Sequence, residues 1–171
     1  KGIDRDLELM NYLIKHKRMN IKLEIYGKIY SEDVKKQFDQ YITANKLEEY
    51  IYYKGEVHEK RKIAKILSQS LLQLCLSEYD SFNVSVIEGM VMGCPAICST
   101  DCGASYLIKS GENGLRIDLK TQFFDEVYEY ITRCLKEDIF YSKQLNNAMN
   151  IQEEVSWIKV TKKYCEIMQI E

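Results

Sequence analysis

Two acidic residues, Asp80 and Glu88, stand in the segment SEYDSFNVSVIEGMVMGCPAI, which begins at Ser77. Seven residues separate them, across a predicted loop that enters a helix. A helix start that faces a cleft binds anions through its unpaired N–H groups and its dipole, so a phosphate fits there. A carboxylate accepts two hydroxyl hydrogen bonds at once, which suits a sugar or a ribose beside that phosphate. The arrangement predicts a nucleotide-sugar site.

The same residues also have a simpler interpretation. The helix is predicted to begin near Phe82 or Asn83, and Asp80, Ser81 and Asn83 are short polar residues that can cap it. Taken singly, Asp80 could be only such a cap, and Glu88 could be only a solvated helix residue. The spacing alone does not decide between the two interpretations.

Length and composition limit the classes of protein to consider. The chain has 171 residues, which suits one domain with a sizeable core. It carries 24 basic and 26 acidic residues, a formal net charge of −2, and no basic block that could follow a phosphate backbone. This argues against nucleic acid as a partner. No apolar run reaches the roughly 18 to 20 residues of a membrane span, and no signal peptide opens the chain.

The cysteines form no C-x-x-C pair, and most of them stand inside apolar runs. We therefore expect small buried thiols in a reducing compartment, rather than a disulfide framework or a zinc site. The expected location is the cytoplasm. The six cysteines are Cys75, Cys94, Cys98, Cys102, Cys134 and Cys165.

Helical and strand-like segments alternate along the chain as far as residue 118. The predicted helices cover residues 4–17, 31–45, 59–68, the segment around Glu88, and 104–109, and the predicted strands cover 21–27, 50–55, 71–77, 95–99 and 114–118. Such alternation predicts parallel strands, because each crossover needs a helix to return the chain. The fold class is therefore α/β, a doubly wound parallel sheet with helices on both faces.

The last part of the chain, residues 121–171, has a helical period throughout and is predicted to form a tail of three helices, near 121–136, 138–149 and 154–169. Pro95 is the only proline, and no linker marks a domain boundary, so residues 1–171 are predicted to form one domain. Ligands of doubly wound sheets bind at the carboxyl ends of the strands. Gly27, Gly55, Ser77 and Ser99 end predicted strands and should line one cleft.

A longer stretch, SEYDSFNVSVIEGMVMGCPAICSTDCGASYLIKSGENGLRID, resembles the C-terminal domain of glycosyltransferase family 4, whose members are retaining enzymes of the GT-B fold. The family signature has two glutamates with this spacing, followed by Ala-Met-Ala-x-Gly-x-Pro, and this chain reads IEGMVMGCP. The segments KG, LEIYG, IYYKGEV and VSWIKVTKKYCEIM match further family segments in the same order. The resemblance therefore covers nearly the whole chain.

The resemblance implies a role for each matching residue. Asp80 matches the first acid, a catalytic residue that approaches the donor sugar ring, and Glu88 matches the acid that holds the ribose hydroxyls. Lys1 matches a lysine that contacts the diphosphate.

Two backbone segments also match donor-binding parts of the family. The N–H groups of Phe82, Asn83 and Val84 match the turn that meets the donor sugar and phosphate. Val57 and His58 belong to the turn that matches the base-binding loop, where His58 either touches the base or faces solvent.

The chain departs from the family pattern at three positions. The first acid is Asp80 rather than Glu, and Asn83 replaces a Gly whose missing side chain lets the backbone approach the ligand. Tyr106 stands where many relatives carry Glu, and it either packs at a helix start or takes part in binding. The first two changes narrow or shift the expected sugar pocket.

The implied function is transfer of a hexosyl group from a nucleotide-sugar, such as a UDP- or GDP-sugar, with retention and with no essential metal or other cofactor. The acceptor would be a glycan or a lipid-linked glycan, in the synthesis of bacterial surface polysaccharide. A non-catalytic nucleotide-sugar-binding or scaffold module of the same fold is the alternative from another class. An epimerase or phosphorylase-like enzyme of this architecture is a third interpretation, although such enzymes usually present other acid and histidine arrangements.

The resemblance also implies parts that are absent from this sequence. The acceptor site of a GT-B enzyme lies on an N-terminal domain, which would also make any contact with a membrane surface, so the inner face of the membrane is a further expected location. A strand preceding Lys1 would be central in the sheet, and the tail helix around Trp157 would pack on the N-terminal domain. This chain alone is expected to be inactive.

Overall fold

The computed structural model describes residues 2–168, except for the side chain of Trp157, and it shows strands and helices that alternate before a helical tail. The strands are β1 (Leu23–Tyr26), β2 (Ile51–Gly55), β3 (Gln73–Cys75), β4 (Ala96–Ser99) and β5 (Gly114–Ile117). The helices are α1 (Ile3–Asn11), α2 (Glu32–Ala44), α3 (Lys60–Gln69), α4 (Val84–Val91), α5 (Phe124–Lys136), α6 (Asp138–Met149), α7 (Ile151–Glu154) and α8 (Trp157–Met168).

Two further helical segments complete the fold. Tyr12–His16 continues α1 as a π-helical turn, and Gly103–Leu107 is a 3₁₀ helix where the sequence predicted a short helix over 104–109. The tail helix predicted near 154–169 is present as α8, and the sequence did not predict the short helix α7, which Val155 and Ser156 separate from it.

All pairings between the five strands are parallel, which confirms the predicted α/β architecture. β1 pairs with β2, and β4 pairs with β3 on one side and β5 on the other. Most of the connections contain an α-helix, as parallel crossovers require. The 3₁₀ helix is in the connection between β4 and β5.

The strands form two hydrogen-bonded sheets, whereas the sequence predicted one. Their orders are β1-β2 and β3-β4-β5. Within residues 2–168, no strand pairs with both β1 and β3, so no hydrogen-bonded strand joins the two sheets. The central strand that the resemblance implies would lie in this place, and it remains a prediction.

Helices cover both faces of the three-stranded sheet. Successive side chains of β4 point to opposite faces: Ile97 packs in a cluster with Leu9 of α1 and Val127 of α5, while Cys98 packs in a cluster with Met90 of α4. All five side chains are buried. Burying a large apolar side chain contributes about 1.5 to 3 kcal/mol, so these two layers hold the sheet in place.

Helix α1 contributes to the cores of both sheets. Its Leu9 belongs to the cluster on the three-stranded sheet, whereas Leu7 and Met10 pack with Phe38 of α2 and Ile51 of β2. The helix therefore connects the two sheets through side-chain packing.

Candidate functional site

The loop between β3 and α4, residues 76–83, carries Asp80 at the carboxyl edge of the three-stranded sheet. At the start of this loop the Ser99 hydroxyl donates a hydrogen bond to the Ser77 carbonyl. Both serines are buried. The ends of the neighbouring strands β3 and β4 are thereby tied together, as expected for residues that line one edge.

The backbone at Asp80 is held by the segment that follows β4. Asp80 and Cys102 form an isolated parallel bridge, and the Gly103 N–H donates to the Asp80 carbonyl at 2.8 Å. A Cβ atom at Gly103 would lie 1.9 Å from the Ser81 carbonyl oxygen, so only glycine fits at this position. The position of Asp80 is therefore set by main-chain contacts.

Helix α4 begins where the sequence placed it. Asn83 is its N-cap residue, with φ −84° and ψ 99°, and its Oδ1 accepts a hydrogen bond from the Ser85 N–H at 3.1 Å. Of the three predicted caps, Asn83 is thus the residue that caps the helix. The remaining N–H groups of the first turn and the helix dipole make this end suited to an anion. Phe82 and Val84, on either side of the cap, are both exposed.

Glu88 lies on α4, more than one turn beyond the cap, and is exposed. The opposite face of α4 is fixed to the core, because Val86 and Met90 are buried and the Gln73 amide donates to the Val86 carbonyl at 2.7 Å. Along the chain, Asp80 thus precedes the start of α4 and Glu88 follows it. A carboxylate on each side of an anion-binding end can bind hydroxyl groups of a phosphorylated sugar.

The predicted base loop lies at the end of the other sheet. The Gly27 N–H donates to the Gly55 carbonyl at 2.9 Å, so the carboxyl ends of β1 and β2 meet. Beyond Gly55, whose φ is +72°, Val57 is half-buried and His58 is exposed. The structure therefore places these two residues after β2, and Asp80 after β3. Lys1, the predicted diphosphate contact, lies outside the described residues.

An ion pair between Arg5 and Glu78 was not foreseen from the sequence. Arg5 is in the first turn of α1 and pairs with Glu78, two residues before Asp80. Gly2, with φ +79°, makes the approach possible, because a Cβ there would lie 2.3 Å from the Leu76 carbonyl oxygen. The one available signal was a cation in a first helical turn, where the dipole favours acids.

Asp6, one residue further along α1, has an unusual carboxyl group. Its Oδ1 is enclosed and has no hydrogen-bond partner among the described residues, although Asp6 as a whole is only half-buried. Burial of the carboxyl raises the pKa of Asp6 to about 7, because desolvation disfavours the charged form.

Two exposed aromatic side chains stand beside the Asp80 loop. Phe82 is 43% exposed and Tyr106 is 66% exposed, with ring centroids 6.4 Å apart. Tyr106 thus packs against Phe82 at the surface and not in the core. A pair of this kind offers an apolar rim to a sugar ring, so both interpretations of Tyr106 remain open.

Five of the six cysteines are buried, Cys165 is half-buried, and all six are free thiols, as the sequence predicted. The sequence did not show that Cys75, Cys98 and Cys102 converge, with sulfur atoms within 4.8 Å of one another. A hydrogen bond from Cys98 lowers the pKa of Cys75, against the effect of burial. That same bond and burial raise the pKa of Cys98.

Two surface clefts lie elsewhere, beside α1. Their volumes are about 340 Å³ and 240 Å³; Arg5 lines the larger, Tyr41 the smaller, and Glu8 and Tyr12 both of them. Neither is lined by Asp80 or Glu88. Within residues 2–168, none of the helices has both the length and the apolar character needed to cross a lipid bilayer.

Comparison with known proteins gives one family and several related folds. The family model described as "Glycosyl transferases group 1" matches residues 1–152. Among curated proteins, sucrose synthase of Beta vulgaris is 23% identical over 87 residues, which cover 50% of this chain and 11% of that protein.

Two solved structures share the fold over nearly the whole chain. HepE of Anabaena, in complex with UDP, has a TM-score of 0.78 and 18% identity, and the match covers 95% of this chain and 43% of that one. A TarM mutant of S. aureus, in complex with Fondaparinux, alpha-GlcNAc-glycerol and UDP, has a TM-score of 0.79 and 23% identity, covering 96% and 32%. The chain thus spans less than half the length of these proteins.

Proposed function

Since this chain belongs to the group 1 glycosyl transferases, we propose that it is the donor-binding half of a retaining glycosyltransferase. The observation that carries the proposal is the pair of carboxylates, Asp80 and Glu88, on either side of the capped start of α4. The N–H groups of the first turn bind the diphosphate of a nucleotide-sugar. Glu88 binds the ribose hydroxyls, and Asp80 faces the sugar.

The rest of the donor is assigned to neighbouring segments. Val57 and His58, after β2, contact the base, and Lys1 contacts the diphosphate. Arg5 pairs with Glu78, two residues before Asp80, and so brings a cation to the Asp80 loop. The proposed nucleotide is uridine diphosphate, a choice supported by the UDP present in the HepE and TarM structures.

The proposed reaction transfers a hexosyl group with retention at the anomeric carbon. The bond between that carbon and the diphosphate oxygen breaks, and its electron pair leaves with the diphosphate. An acceptor hydroxyl oxygen forms the new bond, and its proton passes to the leaving diphosphate. The helix start at Val84 stabilises the charge on the leaving diphosphate, an electrostatic role that needs no rearrangement during the reaction.

The acceptor belongs to the whole protein, of which this chain is proposed to be one part. We propose a glycan or lipid-linked acceptor, bound by an N-terminal domain, in the synthesis of bacterial surface polysaccharide. The glycan compounds in the TarM structure support an acceptor of this class. The proposed location is the cytoplasm, at the inner face of the membrane when the acceptor is lipid-linked.

A non-catalytic module is the second candidate, and one observation favours it. Asn83 replaces the family's Gly. Its side-chain oxygen accepts a hydrogen bond from the Ser85 N–H, and its side-chain amide donates one to the Cys75 sulfur. The backbone is therefore less open to a ligand than it would be with glycine.

Calorimetric titration of the chain with UDP, GDP and UDP-glucose tests the proposal. We expect saturable 1:1 binding of UDP with a dissociation constant below about 1 mM, and weaker binding of GDP. Inorganic pyrophosphate is the matched control, because it reports binding at the anion site without the ribose and base. No heat of binding with millimolar UDP would favour the non-catalytic scaffold, and equal affinity for UDP and pyrophosphate would rule out the assigned role of Glu88.

A further inference from the structure

The sulfur atoms of Cys75, Cys98 and Cys102 converge inside the protein, under the Asp80 loop. All three lie within 4.8 Å of one another, and the Cys75 and Cys102 sulfurs are 3.8 Å apart. The side chains are buried, with exposed fractions of 7%, 0% and 1%. We propose that these three cysteines form a binding site for one thiophilic metal ion, with univalent copper as the ion that fits best.

The fold fixes the three thiols independently of any metal. Cys75 and Cys98 are register partners in the parallel strands β3 and β4, and both side chains point to the same face of the sheet. Cys102 follows β4, and its backbone is bridged to Asp80. Two strands and one loop thus present one sulfur each to a common point.

The distances suit three-coordinate binding. Three sulfurs about 2.3 Å from a central ion lie about 4 Å from one another. The separation between the Cys75 and Cys102 sulfurs is 3.8 Å, and all three separations are at most 4.8 Å. Each sulfur therefore needs to move by well under 1 Å, which a change in side-chain torsion provides without moving the strands.

The number and chemical type of the ligands determine which metal ion fits the site. Thiolate ligands favour Cu(I), Zn²⁺ and iron–sulfur clusters. A structural Zn²⁺ site needs four ligands, but among the described residues this group contains three thiols and no histidine or carboxylate. Val86, Met90 and Leu107 are among the apolar residues packed in the same cluster, and Asn83 is a polar side chain that contacts a sulfur. Three-coordinate Cu(I) meets these conditions.

Binding of the ion releases the thiol protons to solvent, because the thiolate and not the thiol is the metal ligand. Each thiolate is a buried negative charge, which the bound cation compensates in part. The Asn83 amide donates a hydrogen bond to the Cys75 sulfur at 3.2 Å, which favours Cys75 as the first sulfur to lose its proton.

The test is an anaerobic titration of the full chain with Cu(I) held by the competing chelator bicinchoninate. The background carries Cys165→Ser, because Cys165 is the one half-buried thiol and could bind copper adventitiously. We expect one Cu(I) per chain. In this background Cys98→Ala should weaken binding at least about 100-fold. Cys134→Ala, which removes a buried thiol from another cluster, is the matched control and should leave affinity unchanged.

A second measurement needs no cysteine variant, so it remains informative even if a variant fails to fold. X-ray absorption at the copper edge of the intact, loaded chain should show three sulfur neighbours at about 2.3 Å. No copper uptake against the chelator, nitrogen or oxygen in the copper shell, or equal loss of affinity in Cys98→Ala and Cys134→Ala would overturn the proposal. The inference rests on the three thiols and is independent of the proposed donor site.

Discussion

Asn83 and Cys75 are joined by a hydrogen bond of 3.2 Å from the Asn83 amide to the Cys75 sulfur. Through its other atom, Oδ1, the same side chain caps α4 at the Ser85 N–H. Asn83 thus connects the start of the helix to the end of β3, and the two contacts can be separated by substitution.

Asn83→Ala should lower the free energy of unfolding by about 1 kcal/mol, because the cap is lost and a helical N–H is left unpaired. Asn83→Ser is the matched control, since serine keeps a capping oxygen but is too short to donate to Cys75; it should cost less than half as much. Urea denaturation followed by circular dichroism measures both. Equal losses would mean that the contact with Cys75, and not the cap, carries the stability.

Glu88→Ala should weaken the binding of UDP by about 10- to 150-fold, because hydrogen bonds to a charged acceptor contribute roughly 1.5 to 3 kcal/mol. Glu129 provides the matched control, as an exposed glutamate in the middle of α5, and Glu129→Ala should bind UDP normally. Titration calorimetry gives the three affinities. If Glu88→Ala binds as tightly as the unchanged chain, Glu88 is only a solvated helix residue.

Asp80→Ala should weaken binding of the sugar part of the donor and leave binding of the nucleotide part unchanged. We expect weaker binding of UDP-glucose, by roughly 10-fold, and unchanged binding of UDP, since the carboxylate is assigned to the sugar hydroxyls. The dissociation constants of UDP-glucose and UDP are measured on the same preparation. An equal loss for both would instead point to a role of Asp80 in the loop structure.

The carboxyl of Asp6 should make stability depend on pH. Its pKa is raised from 3.8 to about 7 in the folded chain, so the folded state holds a proton that the unfolded state has lost. The stability from this group is fully present below pH 3.8 and is lost as the pH rises through about 7, by on the order of 2 to 4 kcal/mol.

Asp6→Asn removes this titration, and Asp4→Asn, on an exposed neighbour in the same turn, is its control. Unfolding free energies at pH 5 and pH 8 should differ less in Asp6→Asn than in the unchanged chain. A pH dependence that is the same in all three proteins would show that the Asp6 carboxyl has an ordinary pKa.

Helix α8 should promote self-association. Tyr164, Ile167 and Met168 lie on one helical face and are 66%, 69% and 64% exposed. An apolar face of this kind favours contact with another protein surface. Replacing Tyr164 and Ile167 with lysine should shift sedimentation toward the monomer, while Ile139→Lys, at an isolated exposed position on α6, should not. Unchanged association in the double variant would show that this face does not mediate self-association.

Local patterns predicted the elements of the fold. The alternating strand around Leu23 and the continuously buried strand around Ile97 are both present, and the loop-to-helix change at Asn83 lies within one residue of its predicted place. These features follow from side-chain period and capping, which depend on neighbours in the sequence.

Features that depend on distant residues could not be predicted in this way. Arg5 and Glu78 are 73 positions apart, and the meeting of Cys75 with Cys98 requires the register of two strands. The division into two sheets likewise depends on which strands are hydrogen-bonded. The roles of Asp80 and Glu88 remain predictions.

The main-chain contact between Gly103 and the Asp80 loop bears on how donor preference could change. The loop is positioned by the Gly103 N–H and the close approach of Ser81, and neither contact uses the side chain of Tyr79, Ser81 or Phe82. These three positions can therefore accept many residues without altering the path of the backbone. A library randomised at 79, 81 and 82, with Gly103 kept, should retain folded members at high frequency and offers a direct way to vary the selectivity of the proposed donor site.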